Sequence, residues 1–262
     1  MKDLIKNIIC PTDLSDNAYH AIKYTHGLAK IFNSEVILFH CSKESADIDY
    51  AKNELNAIIK TIRKEDQFSK VNFLIVIRQG VPEKELLEYM SKNKMDLVSM
   101  AINGYAREYS SITSRIIENT SCPVLEVPGN HVHKPIYNIV FATDMDTAES
   151  EAVSFSLRFA EHLQAHIDFL NVESQENKKL EEVAEYALTK LVNKSKYEDV
   201  AFHLVDKEDT IKGILDFAEN SKADLIILSH KKLYEESIAG THTHRLVSKT
   251  PIPVMILNKT SF

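Results

Sequence analysis

"IKNIICPTDLSDNAYHAIKYTHGLAKIFNSEVILFHC", Ile5 to Cys41, is answered later in the same chain by "IYNIVFATDMDTAESEAVSFSLRFAEHLQAHIDFLNV", Ile136 to Val172. The offset is a constant 131 residues. It pairs Ile5 with Ile136, Asn7 with Asn138, Thr12-Asp13 with Thr143-Asp144, Ala21 with Ala152 and Ala29 with Ala160. Further on, "KMDLVSM" is matched by "KADLIIL" and "SCPVLEVP" by "PIPVMILN", with the offset drifting as loops take up small insertions. A self-match of this extent means two homologous halves. Their limits are residues 1–129 and 136–262 with 130–135 as linker, and each half has the size of an ordinary domain.

Within each half, short apolar runs alternate with segments of helical period. The runs predict strands over 5–11, 35–41, 71–77, 96–101 and 123–127, and over 136–142, 166–172, 200–205, 224–228 and 253–257. Between the first two, Ala18, Ala21, Ile22, Thr25, Leu28, Ala29 and Phe32 fall on one helical face. Pro82 suits the first turn of another helix, where its missing N–H is not needed. Asp146 and Glu149 have capping-box spacing ahead of "AVSFSLRFAEHL".

Runs as uniformly apolar as "VILFH" and "DLIIL" belong to strands covered on both sides, which is the habit of parallel sheets. The fold class is therefore α/β: two tandem doubly wound, Rossmann-like domains, each a five-stranded parallel sheet with helices on both faces. Such sheets bind ligands beyond the carboxyl ends of the strands, where strand order reverses. Here that point lies between the ends of the first and fourth strands. It carries Pro11-Thr12-Asp13 with Ala101 to Gly104 in the first half, and Ala142-Thr143-Asp144 with Ser229 to Lys232 in the second.

Composition narrows the function classes. With 44% hydrophobic and 26% charged residues, the chain reads as globular. A net charge of −7 argues against a nucleic-acid footprint. No apolar run is long enough to span a bilayer, and the start "MKDLIKNIICPTD" has no signal-peptide core, so a cytoplasmic protein without a membrane partner is expected. Cys10, Cys41 and Cys122 lie in or beside apolar runs without CxxC spacing and read as buried, reduced thiols. The chain holds no G-x4-G-K-[ST], no G-x-G-x-x-G and no G-x-S-x-G. Nothing groups a nucleophile, a base and oxyanion donors, so an efficient enzyme is not expected.

A first strand leading into "PTDLS", a fourth strand entering the glycine-bearing "MAINGYAREYSS", and a closing "SCPVLEVP" together resemble the universal stress protein (UspA) family, through both halves and nearly the whole chain. The resemblance implies the adenine-nucleotide alpha-hydrolase-like variety of the fold and a non-catalytic binding or signalling module in stress response. Nucleotide-binding members carry a loop G-x2-G-x9-G-[ST] after the fourth strand, whose glycines let backbone amides approach phosphate oxygens at a helix N-terminus. This sequence departs from that pattern. The first half reads Ala101-Ile-Asn-Gly104, five residues, then Ser110-Ser111; the second reads Ser229-His-Lys-Lys232, seven residues, then Gly240-Thr241. Each half keeps a different fragment of a degenerate loop. Carried over residue by residue, the implied site is Pro11, Asp13, Cys41, Ala101, Gly104, Ser110 and Ser111 in the first half, and Asp144, Val172, Ser229, Gly240 and Thr241 in the second. ATP or AMP would be the ligand, with slow hydrolysis at most; Asp13 and Asp144 would meet ribose or base, and Cys41 and Val172 would line the base pocket. Because single-domain members dimerise through their last strands, the resemblance also implies an intramolecular pseudo-dimer of "PVLEVP" with "PVMILN", with homodimers and protein partners left open.

Two readings compete at the same positions. Asp at a strand-to-helix turn is also a routine capping residue. His230, His242 and His244 near Lys231 and Lys232 form the only histidine grouping with a metal- or anion-sensing reading, but no ligand spacing supports a metal and a polar pocket rim is the plainer account.

Overall fold

The computed structural model describes residues 4–102, 111–129, 131, 134–143, 150–173, 189, 192–230, 246 and 249–258. The chain divides into two compact units, Met1–Lys134 and Pro135–Phe262. The first runs β1 (Asn7–Pro11), α1 (Asp16–Phe32), β2 (Glu35–Ser42), α2 (Asp47–Glu65), β3 (Asn72–Gln79), α3 (Pro82–Lys92), β4 (Leu97–Ile102), α4 (Ser111–Asn119) and β5 (Val124–Pro128). Its strands lie in the order β3-β2-β1-β4-β5, and every adjacent pair is parallel.

Two crossovers run one way from β1 and the next two run the other way. With right-handed connections this puts α1 and α2 on one face and α3 and α4 on the other. Ion pairs follow that division: Lys23 of α1 meets Glu65 of α2 at 2.7 Å, and Arg115 of α4 meets Glu83 of α3 at 2.8 Å. Covered on both sides, β1 buries Ile8, Ile9 and Cys10 completely. The expected apolar face of α1 is buried, together with Tyr24, His26 and Gly27, because this helix packs against β1, β2, β4 and β5 rather than along one seam. Ser15 caps its start by accepting from the Ala18 N–H, and Asn33, in the left-handed region at φ 53°, ends it.

The second unit holds β6 (Asn138–Ala142), α5 (Ser150–Leu163), β7 (His166–Glu173), β8 (Val200–Asp206), α6 (Thr210–Asn220), β9 (Leu225–His230) and β10 (Val254–Asn258). The order β8-β7-β6-β9-β10, again parallel, repeats the first topology. Every strand begins and ends within two residues of its expected limits. The proposed capping pair Asp146 and Glu149 lies outside the described residues.

The repeat extends to hydrogen bonds. Thr12 N–H donates to the Phe39 carbonyl and Thr143 N–H to that of Leu170, both at 2.9 Å. Ahead of β4, the Asp96 carboxylate accepts from the N–H groups of Lys6 and Asn7, each at 3.0 Å. Ahead of β9, Asp224 accepts likewise from Tyr137 at 2.9 Å and Asn138 at 3.0 Å. The Asp of "KMDL" and "KADL" therefore ties the entry of the fourth strand to that of the first. Asp224 is buried, so Asp224→Ala strands two amides and is expected to cost about 2 kcal/mol in urea-induced unfolding.

The cysteines differ in part from expectation. Cys10 is fully buried, and burial pushes its thiol up to about 12. Cys41 and Cys122 are only partly buried because they sit at a strand end and in a loop, where the helices no longer cover the sheet. Among the described residues no helix is long and apolar enough to cross a membrane.

Candidate functional site

Where β1 and β4 part, the carboxyl ends of the first unit's strands open a cavity of about 580 Å³, within the range of small-molecule sites. Pro11 and Asp13 after β1, Cys41 on β2 and Ala101 on β4 all line it. The sheet thus gathers four residues from three strands at the switch point.

The turn out of β1 is built from short polar contacts. Leu14 sits at φ 65°, a left-handed conformation that costs a side chain with a Cβ about 1 kcal/mol or more. Two side chains hold it there. Thr12 Oγ1 accepts from the Leu14 N–H at 3.1 Å, and Asp13 Oδ1 accepts from the Ser15 N–H at 3.0 Å and the Ser15 hydroxyl at 2.5 Å. Ser15 Oγ in turn accepts from Ala18 N–H at 3.3 Å. Asp13 thereby orders the start of α1 while facing the cleft.

The β2 end is tied down as firmly. His40 Nδ1 lies 2.8 Å from the Thr12 carbonyl, so that nitrogen carries the proton. Cys41 donates to the Gly80 carbonyl at 3.3 Å. Burial, aided by the nearby Glu85 charge, raises the Cys41 thiol, which stays protonated and unreactive at neutral pH. Gly80 has φ 149°, and a Cβ there would approach Glu85 Oε1 to 2.8 Å, so only glycine makes this turn into α3 without displacing that side chain.

Four helices begin at the cavity. Ala18 of α1, Asp47 and Tyr50 of α2, Pro82 of α3, and Ile112 and Thr113 of α4 border it. Helix N-termini present unsatisfied N–H groups and partial positive charge. Lys43 adds a full charge, opposed by Asp13 and Asp47. The chemistry suits an anionic ligand with an apolar portion, since Phe39, Leu86 and Met100 also line the cavity.

Of the other residues named from sequence, Ser111 begins α4 beside this cavity, whereas Gly104 and Ser110 lie outside the described residues. In the second unit, Val172 on β7 is buried against α6, where a Cβ on Gly213 would fall 2.5 Å from Val172 Cγ1. Ser229 lies near the end of β9 and is partly exposed. Asp144, Gly240, Thr241, Lys231, Lys232, His242 and His244 lie outside the described residues, and His230 is described only as the last residue of β9. Among the described residues no group of three His, Cys, Asp or Glu is arranged to hold a metal ion. Asn171 Nδ2 donates to the Thr143 carbonyl at 3.1 Å, taking over the contact His40 makes in the first unit.

Sequence reasoning missed His40, Lys43 and Tyr50. The first two flank Cys41 at a strand end and were findable by position; Tyr50 reaches the cavity only because α2 starts beside it.

The sequence matches the universal stress protein family twice, over residues 4–128 and 136–258. A universal stress protein of Methanocaldococcus jannaschii is 29% identical over 142 residues, spanning 48% of this chain and 84% of that protein. A second from the same organism is 26% identical over 161 residues, covering 48% of this chain and 97% of its own. Among solved structures, a universal stress protein from Archaeoglobus fulgidus superposes with a TM-score of 0.76 over 99% of this chain and 100% of that one, at 15% identity, which bears on the fold alone.

Proposed function

The chain belongs to the universal stress protein family, with two copies of its domain in tandem, and from that premise we propose that it is a non-catalytic binding and signalling module whose first half takes an adenine nucleotide, ATP or AMP, in the cleft after β1 and β4. The observation that carries this reading is the cavity of about 580 Å³ onto which four helix N-termini open, with Lys43 at its rim. Amides at helix starts and a lysine favour phosphate, and the apolar wall suits a base. The fragmentary loops of both halves restrict any hydrolysis to a slow side reaction. The first half is favoured over the second because Cys41 faces the cavity whereas its counterpart Val172 is packed onto the backbone of α6 at Gly213.

Thermal unfolding with AMP, ATP and zinc in turn tests this. A ligand at a hundred times its Kd adds about 2.7 kcal/mol of stability. Either nucleotide is expected to raise the Tm, the rise to vanish in Cys41→Trp and Lys43→Glu, and to persist in Gly240→Asp. No shift with either nucleotide overturns the ligand while leaving a protein-binding module. A shift with zinc alone transfers the reading to the histidines of the second half.

A further inference from the structure

On the face of the second sheet that α6 covers, at the end opposite the cleft, four titratable side chains form a continuous string. His166 Nδ1 lies 2.7 Å from Asp199 Oδ1 and His166 Nε2 lies 3.1 Å from Asp168 Oδ1; that same oxygen lies 2.7 Å from His203 Nε2. His203 packs its ring against Phe217 of α6, with centroids 4.7 Å apart. Asp168 is buried and His166 is one-third exposed.

The first half shows that the fold does not require this string. By register and by the offset of 131, Asp168 occupies the place of Ile37 and His166 that of Glu35, while His203 pairs with Leu170 as Val76 pairs with Phe39. Where His166 meets Asp199, the first half has Asn72 donating to Glu35. A buried carboxylate is costly unless partnered, and one copy of the fold dispenses with it. The second copy carries both the carboxylate and two imidazoles to meet it.

The geometry also sets the proton count. Both ring nitrogens of His166 face carboxylate oxygens, and a neutral imidazole has a single N–H. Only the imidazolium donates to both. We infer that His166, Asp168, Asp199 and His203 form a proton-operated clasp that ties the edge strand β8 and the residues leading into it to β7, tightening as the pH falls and loosening as it rises.

The surroundings agree. Burial pulls His166 down, but the hydrogen bonds and charges of Asp199 and Asp168 more than offset it and hold the imidazole above its ordinary value. Tyr197, whose hydroxyl donates to the Ala165 carbonyl, is raised by burial, Asp199 and Glu161 of α5; on α6, next to Phe217, Asp216 is paired with Lys207; and Asp224 accepts from Tyr137 and Asn138 beside the start of β7. A raised imidazole contributes stability that is complete below the unfolded value of about 6.5 and is lost as the pH climbs through the folded value. The first half carries the opposite sign: His26, buried on α1, within 2.7 Å of Ser69 Oγ and stacked on Phe73 of β3, is held low by burial despite Asp66. Protonation there loosens the first half as the pH falls below about 6.5.

Hydrogen exchange followed by mass spectrometry, corrected for intrinsic rates, reads the clasp on the full chain between about pH 5.5 and pH 8, the range of imidazole titration. Protection of residues 197–206 is expected to fall with rising pH, about tenfold for each unit by which His166 is raised. Protection of β3 should change in the opposite direction. His166→Gln should abolish the pH dependence in 197–206, and Asp199→Asn, at an exposed position, should lower the His166 midpoint seen by NMR. The same pH dependence in His166→Gln, or a wild-type midpoint at or below about 6.5, overturns the inference. Neither readout depends on a ligand in the cleft, so this test and the nucleotide test fail separately.

Discussion

Ile37→Asp is expected to destabilise the first half by about 3–5 kcal/mol, the cost of a buried charge without a partner. Ile37 is buried on β2, between Ile9 on β1 and Leu74 on β3. Its counterpart Asp168 tolerates burial because two imidazoles meet one of its oxygens. The first half offers no such partner: the positions of His166 and His203 are held by Glu35, an acid, and Val76. Against a domain stability of roughly 5–15 kcal/mol, that cost moves much of the first half toward unfolding. The reverse exchange, Asp168→Ile, should cost far less, because an aliphatic side chain is what the fold accepts there and His166 keeps Asp199. Urea unfolding by circular dichroism gives the size of each effect, and hydrogen exchange says which half carries it. A penalty below about 1 kcal/mol for Ile37→Asp would show that water or a displaced lysine reaches the site, and that a carboxylate at this position does not need the two imidazoles.

Phe169→Ala should be comparably damaging to the second half, at about 3–5 kcal/mol. Phe141, Phe169 and Phe202 stand in register across β6, β7 and β8. The ring of Phe169 lies 5.5 Å from each neighbour, tilted at 53° to Phe141 and nearly parallel to Phe202 at 19°. Removing the central ring deletes two aromatic contacts and leaves a cavity between strands whose backbones are locked by the ladder. In the first half the same row is Cys10, Leu38 and Ile75. Leu38→Ala there loses fewer atoms, and its cost should be smaller. Exchange rates of β6 to β8 should rise in Phe169→Ala while those of β1 to β3 stay as they are. Equal effects on both halves would mean that the two units unfold as one.

These two substitutions act at adjacent positions of the second strand in different copies of one fold, and their contrast bears on how the two halves differ. Backbone contacts have been kept: the Thr12 and Thr143 amides, and the Asp96 and Asp224 carboxylates, make corresponding bonds in the two halves. Side chains within the sheet differ: Cys10, Leu38 and Ile75 stand where the second half has three phenylalanines, and Ile37 where it has Asp168. The ladder and the strand-entry carboxylates hold the topology, so the rows between them were free to vary in volume and charge. The first half shows an open cleft, and the second carries a titratable string.

The duplication, the fold class and the strand positions were all determined by sequence, because they depend on local quantities: runs of apolar residues, helical spacing in α1, Pro82 at a helix start, and the offset that recurs through both halves. Chain order and right-handed crossovers then constrain the topology strongly. The gathering of the cleft was legible in part. Pro11, Asp13 and Ala101 could be named because they end strands that a doubly wound sheet must bring together, and Cys41 because the family resemblance implied it, whereas Tyr50 and the convergence of four helix starts required knowing where each helix docks. Only the tertiary structure decided the clasp. His166, Asp168, Asp199 and His203 lie on two different strands and a loop, and nothing in their spacing links them; they meet because parallel pairing sets β8 beside β7 in one register and the pleat turns their side chains to one face. Whether a histidine is a surface residue or a charged link between two carboxylates depends on contacts across the sheet, which are set when the strands pair.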